Sequence, residues 1–217
     1  MSYLYKKVQE RFSFLPATCD MARQGNCTEI AFKAEREYLP YVRKFAEGHI
    51  ADVISVGYKY DFFEKRLALP LLSGLQKRLL ITAIVAADYK EDRAFVARRI
   101  RGSARYCLDG VFHFRLRELI RRWEGIADYV PANMSEVGLD DFLTFLAEDG
   151  EGKIFVKNGR VYDEEYRPMQ KSLLTGVEST LGEILLSGAE RVYCFGEVEG
   201  ELRSFLQKYY KEKAVFC

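Results

Sequence analysis

The sequence predicts an α+β fold, with a helical middle at about residues 38–149 packed on a small mixed β-sheet built from both ends of the chain. Three observations carry this. Apolar residues recur at intervals of three and four through the middle of the chain, the spacing of a helix with one buried stripe. Lys153-Ile-Phe-Val-Lys-Asn158-Gly159-Arg160-Val-Tyr-Asp163 sets Asn-Gly between two alternating runs, and a type I′ turn needs positive φ at both central positions. Arg191–Phe195 and Ala214–Cys217 flank a helical stretch at the spacing of a right-handed crossover between parallel strands. With 217 residues, 48% apolar and 30% charged, the chain is expected to form a single compact protein over residues 1–217. Its C-terminal α/β subregion, at about 150–217, can take in a strand at 28–33.

Residues 1–26 give the weakest pattern: Tyr3 to Phe14 suits strand or helix, and Pro16 to Asn26 suits a loop or a short helix. Thr28-Glu-Ile-Ala-Phe-Lys33 alternates with period two, which predicts a half-buried strand. Tyr38, Tyr41, Val42, Phe45, His49, Val53, Val56, Tyr60 and Phe63 then mark one helical stripe, with Pro40 tolerated in the first turn and a bend near Gly57. Ser73-Gly-Leu-Gln76 is a capping box that opens a helix to about Ala87, and Asp88 can cap the next helix through Ile100. After Gly102-Ser103 a long helix is expected from near Tyr106, with Leu108, Phe112, Leu116, Leu119, Trp123 and Ile126 as its buried stripe. Pro131 closes it, and Ser135 can cap a helix to Glu148. Beyond the hairpin, helices are expected at about 172–186, ended by Gly188, and at 197–210.

Composition limits the function classes. A formal net charge of +1 means that nucleic acid or an anionic surface must be met by a local patch. The segment 98–122 offers one, with eight arginines against Asp109 and Glu118, so it carries +6. Arg98, Arg99, Arg101, Arg105, Arg115, Arg121 and Arg122 are the candidate nucleic-acid or partner surface, because the guanidinium fork suits phosphate. The bland reading is a solvated face offset by acids such as Asp140, Asp141 and the Gly196 to Glu201 stretch. Phe112-His-Phe-Arg-Leu-Arg interleaves rings with cations, but Phe112, Leu116 and Trp123 lie at core spacing.

No catalytic, cofactor-binding or metal residue is assigned. His49 lies on an apolar stripe and His113 between two phenylalanines, neither beside a carboxylate or cysteine at a recognisable spacing. Gly196-Glu-Val-Glu-Gly200 stands where a phosphate turn would, but its carboxylates oppose phosphate. The five cysteines, odd in number and without C-x-x-C, read as reduced thiols of a cytoplasmic protein. The longest apolar run, Leu79 to Ala87, is too short for a bilayer span, so no membrane partner is expected.

The run Phe112-His-Phe-Arg-Leu-Arg-Glu-Leu, with Leu185-Leu-Ser-Gly-Ala-Glu-Arg-Val-Tyr-Cys-Phe and Lys213-Ala-Val-Phe-Cys217, resembles the sporulation protein YtxC family of endospore-forming Firmicutes. The likeness covers about half of the chain, and the Asn158-Gly159 hairpin stands apart from it. It implies a cytoplasmic protein linked to sporulation, with no assigned activity and no catalytic residues to carry over. The leading expectation is thus a non-catalytic accessory protein acting through protein contacts. The alternatives are nucleic-acid binding through the arginine-rich segment and an enzyme with an unrecognised site.

Overall fold

A computed structural model describes residues 17–24, 27–102, 107–174, 176–198 and 200–217. The α+β class is as expected, with helices through the middle and sheet structure near both ends. Among the described residues the strands form two separate sheets. Cys27–Ala34 (β2) does not join the C-terminal sheet; it pairs antiparallel with Ala17–Gln24 (β1), from Ala17 opposite Ala34 to Gln24 opposite Cys27. The loop or short helix expected at 16–26 is therefore largely strand. Two compact units can be described: one comprises described residues up to Ile54 with Arg93–Arg117, the other Ser55–Asp92 with Glu118–Cys217.

In the first unit, Leu39–Asp52 (α1) starts with Pro40 in its first turn, and Val42 packs among Ala17, Ile30, Phe32, Ala34, Phe45 and Val53. The expected bend is a π-helical segment, Val53–Tyr58, which leads into Lys59–Arg66 (α2). A π turn widens the helix by one residue, which shifts the buried stripe beyond it. The helix expected after Asp88 is Tyr89–Ile100 (α4), and Arg93 Nε donates to Asp52 Oδ1 at 2.6 Å. The long helix expected from Tyr106 is broken. A single turn at Leu108–Gly110 passes into a second π segment, Val111–Arg115, and Leu116 leaves helical geometry before Arg117–Tyr129 (α5).

The second unit holds α2, Gly74–Ala87 (α3), α5 from Glu118, Glu136–Glu148 (α6) and the C-terminal sheet. Ser73 and Gln76 form the expected capping box on α3, and Ser135 accepts from Gly138 N–H at the start of α6. Lys153–Lys157 (β3) and Arg160–Tyr162 (β4) make the hairpin, with Asn158 at φ 51° and Gly159 at φ 69° as its turn requires. Val177–Ser187 (α7) begins about five residues later than its spacing suggests and ends on Gly188 in the left-handed conformation. Arg191–Phe195 (β5), Gly200–Tyr209 (α8) and Ala214–Phe216 (β6) complete the sheet in the order β4-β3-β5-β6.

That order has a direct consequence. β3, β5 and β6 are parallel neighbours stepping the same way across the sheet, so right-handed crossovers put α7 and α8 on one face. Ile154, Val156, Val161, Val192 and Cys194 are buried on it. α7 is buried along most of its length and packs against α3, which also meets α6. The opposite face of the sheet carries a different set of side chains.

Candidate nucleic-acid interface

Alternation along β3 projects Lys153, Phe155 and Lys157 from that opposite face. Parallel pairing with β5 places Arg191, Tyr193 and Phe195 beside them one to one, and β4 sets Tyr162 opposite Phe155 and Arg160 opposite Lys157. The result is an aromatic band between two pairs of cations. Phe155 lies 5.8 Å from Tyr193 and 6.2 Å from Phe195, ring centre to ring centre. Tyr166 stacks on Phe155 at 4.4 Å with planes 9° apart, and Lys153 Nζ lies 6.0 Å from the Phe155 ring centre.

Tyr166 is held there by its loop. Asp163 Oδ1 accepts from the backbone N–H groups of Glu165 and Arg167, Tyr166 N–H donates to Asp163 O at 3.0 Å, and the tyrosine sits at φ 58°, unusual for a side chain of its size. Burial would raise the Asp163 carboxyl, but the Arg167 hydrogen bonds outweigh it and hold the group below the usual carboxylate range. Phe155 is covered by this stack and only 8% exposed, whereas Tyr166 is 63% and Phe195 38% exposed. The rings open to solvent are therefore Tyr166 and Phe195, with Tyr162 and Tyr193 half-buried beside them.

None of Lys153, Lys157, Arg160 or Arg191 enters an ion pair among the described residues. The nearby loop carries Asp163, Glu164 and Glu165 against Arg167, a net −2; Arg167 pairs with Asp163 and Glu165, and Glu164 accepts from Lys153 N–H at 3.0 Å. Those four cations and that loop together sum to +2, with rings between the charges. Cations spaced around exposed rings suit a polyanion whose planar groups can stack.

The arginines singled out from the sequence are placed differently. Arg98 and Arg99 close α4 and Arg101 follows it, all exposed in the first unit, with Arg99 lying 5.1 Å from the Phe95 ring centre. Cations at a helix C-terminus also offset its dipole. Arg105 lies outside the described residues. Arg115 is exposed in the second π segment, while Arg121 and Arg122 belong to the other unit, where Arg122 Nη2 donates to Asp92 Oδ1 at 3.3 Å. The +6 segment is thus shared between two units, with Arg98, Arg99, Arg101 and Arg115 in the first and Arg121 and Arg122 in the second. His49 meets Phe45 edge to face and His113 is exposed beside Phe112.

Sequence reasoning missed a buried charge cluster in the second unit. Lys59 is fully buried and its Nζ lies 2.8 Å from Asp92 Oδ2, itself 2% exposed; Trp123 Nε1 donates to the same oxygen at 2.8 Å. A signal existed. Lys59 stands three residues after Val56 and four before Phe63, and Asp92 three after Tyr89 and four before Val96, so both sit on apolar stripes.

Other ionisable groups point to structure. Burial, with a smaller push from Cys217, raises the Cys194 thiol to about 11, so it is no thiolate nucleophile at neutral pH. On α6, burial raises the Asp140 carboxyl, but Lys208 at 2.6 Å and the Tyr209 hydroxyl, both from α8, outweigh it and hold the group below its ordinary value. Burial and Asp140 push Tyr209 up to about 12. Because the folded Asp140 value lies below the unfolded one, this tie stabilises above the unfolded value and is lost as pH falls through the folded one. The unfolding midpoints of wild type and Asp140→Asn are therefore expected to differ at neutral pH and to converge below about pH 4. A gap unchanged by acid would count against the assignment. Tyr209 works in the opposite sense: its contribution is present below about 10, the usual phenol value, and fades as pH rises through about 12.

Among the described residues no group of three or more His, Cys, Asp or Glu is placed to hold a metal ion, and no helix is long and apolar enough to cross a membrane. The chain matches no protein-family model, no curated protein and no solved structure. The resemblance to the YtxC family therefore rests on the residues quoted for it alone.

Proposed function

We propose that this protein binds single-stranded nucleic acid across the open face of its C-terminal sheet, without catalysing a reaction. The observation that carries the proposal is the strand register, which brings Lys153, Lys157, Arg160 and Arg191 around Phe155, Tyr193 and Phe195 while the helices occupy the other face. Of the readings left open by the sequence, this is the nucleic-acid one, moved from Arg98–Arg122 to residues that were not singled out. A cytoplasmic setting belongs to the same proposal and is supported by the free thiols of Cys107, Cys194 and Cys217.

The test is fluorescence anisotropy of labelled octauridylate and octathymidylate across a salt series. Each cation–phosphate pair removed should lower the slope of log K against log salt by about 0.7. A Lys157→Ala/Arg160→Ala/Arg191→Ala variant is thus expected to flatten it by about 2. Phe195→Ala should weaken binding by about 1–3 kcal/mol because a base then has no ring to stack on. An Arg98→Ala/Arg99→Ala/Arg101→Ala variant should bind as wild type does. Absence of salt-sensitive binding at low salt would sink the proposal, and binding that disappears only with Arg98, Arg99 and Arg101 would return the site to the end of α4.

A further inference from the structure

At the carboxyl ends of β3 and β5 lies a cavity of ≈ 370 Å³, bounded by the Asn158-Gly159 turn, Thr180, Phe195, Glu197 and apolar side chains including Val177. We infer that it is a base pocket for one nucleotide of the bound strand, selective for guanine. The inference rests on the sheet-face reading above and adds to it a site and a preference.

The volume comes first. Ligand pockets run from about 300 Å³ upward, so this one suits a single nucleoside and nothing much larger. Its chemistry then decides which groups are welcome. Thr180 Oγ1 already donates its proton to Gly159 O at 2.6 Å, which leaves that oxygen only its lone pairs. Glu197 is an acceptor when ionised, and Asn158 adds an amide. Among the described residues no lysine or arginine lines the cavity. A phosphate finds a carboxylate there and no cation, whereas a ligand rich in N–H donors finds acceptors. Among the bases, guanine presents two adjacent donors, N1–H and the N2 amino group, the spacing that a carboxylate accepts with both oxygens.

Continuity with the sheet face supplies the rest. Phe195 lines the cavity and also belongs to the aromatic band, and the Asn158-Gly159 turn joins Lys157 to Arg160. Val156, Val177, Thr180 and Leu202 line the cavity from the helix side of the sheet, so a strand held by those cations, with its bases on the band, would pass one base around the Phe195 edge into it. Specific recognition of single strands is achieved by splaying bases out of the stack in this way.

The experiment compares octauridylate with the same octamer carrying one guanosine, and with one carrying one inosine, which lacks the N2 amino group. The guanosine octamer is expected to bind roughly tenfold more tightly than octauridylate, with inosine recovering only part of the gain. Glu197→Gln, which keeps the shape and exchanges an acceptor for a donor, is expected to abolish the gain, with an unchanged unfolding midpoint as the control for folding. A parallel titration of free guanosine, read by saturation transfer from the protein, tests the pocket without the sheet face. Equal binding of the three octamers, or a gain that survives Glu197→Gln, would overturn the pocket and leave the sheet face standing. If no octamer binds, the sheet-face reading fails by itself; free guanosine then decides the pocket, and absence of transfer overturns it.

Discussion

Asp92→Ala is expected to remove about 3–5 kcal/mol of stability, a large part of the roughly 5–15 kcal/mol that a domain of ordinary stability possesses. The carboxylate is 2% exposed and takes three donors: Lys59 Nζ at 2.8 Å, Trp123 Nε1 at 2.8 Å and Arg122 Nη2 at 3.3 Å. Without it, among the described residues the buried Lys59 ammonium keeps only Asp88, whose oxygen lies 3.4 Å away on a side chain 39% exposed, and the Trp123 ring centre at 6.0 Å. Trp123, fully buried, loses its bond from Nε1 to Asp92. Lys59→Met should cost less, since Asp92 would still accept from Trp123 and Arg122. The cluster as a whole is not a large net stabiliser, because taking two charges out of water costs nearly what their attraction returns. A Lys59→Met/Asp92→Leu double variant should therefore recover most of the loss. Urea denaturation of the three variants checks the ranking; single variants within about 1 kcal/mol of wild type would mean that the pair is solvated and weak.

The same cluster shows how far the sequence could be read. Helices announced by caps and stripes were legible: the Ser73-Gln76 box, Ser135, the Asn158-Gly159 turn and Gly188 all do locally what their chemistry dictates. These are short-range effects, settled within a few residues. The errors lie where distant segments decide. Apolar alternation marked Thr28–Lys33 as strand, but only pairing with Ala17–Gln24 explains its place outside the main sheet. Gly25-Asn26, between the two strands, was an available hairpin signal of the Gly-Asn type.

The candidate interface was missed for a related reason. Its cations are spread over β3, β4 and β5, each flanked by rings that read as ordinary strand residues. Only the register Lys153 beside Arg191 and Lys157 beside both Arg160 and Phe195 concentrates them. Arg98 to Arg122, adjacent in sequence, is instead divided between two units. Charge density along a chain and charge density on a surface are different quantities, and the topology converts one into the other.

That topology depends on how β3 and β5 begin, and Gly150→Ala is expected to cost about 3 kcal/mol by disturbing it, the upper end of ordinary overpacking. Two loops meet there through backbone bonds: Glu151 N–H donates to Gly188 O at 2.8 Å, and the N–H groups of Glu190 and Arg191 both donate to Gly152 O at 3.1 Å. A Cβ at Gly150 would stand 2.6 Å from Ala189 O and 2.8 Å from Glu190 N, main-chain atoms that no rotamer change can move aside. The glycine is required by space rather than by a left-handed backbone. Gly125, inside α5, has neither constraint, since a Cβ there would meet nothing within 4 Å, so Gly125→Ala should raise stability by about 0.5–1 kcal/mol. The two substitutions add the same methyl group and are expected to shift the urea midpoint in opposite directions. Because Gly150 lies against Ala189 and Glu190 where the loops leading into β3 and β5 meet, its alanine variant is expected also to weaken octauridylate binding, while Gly125→Ala leaves it unchanged. A Gly150→Ala protein as stable as wild type, with binding intact, would show that the two loops part without cost and that the register of the face is fixed elsewhere.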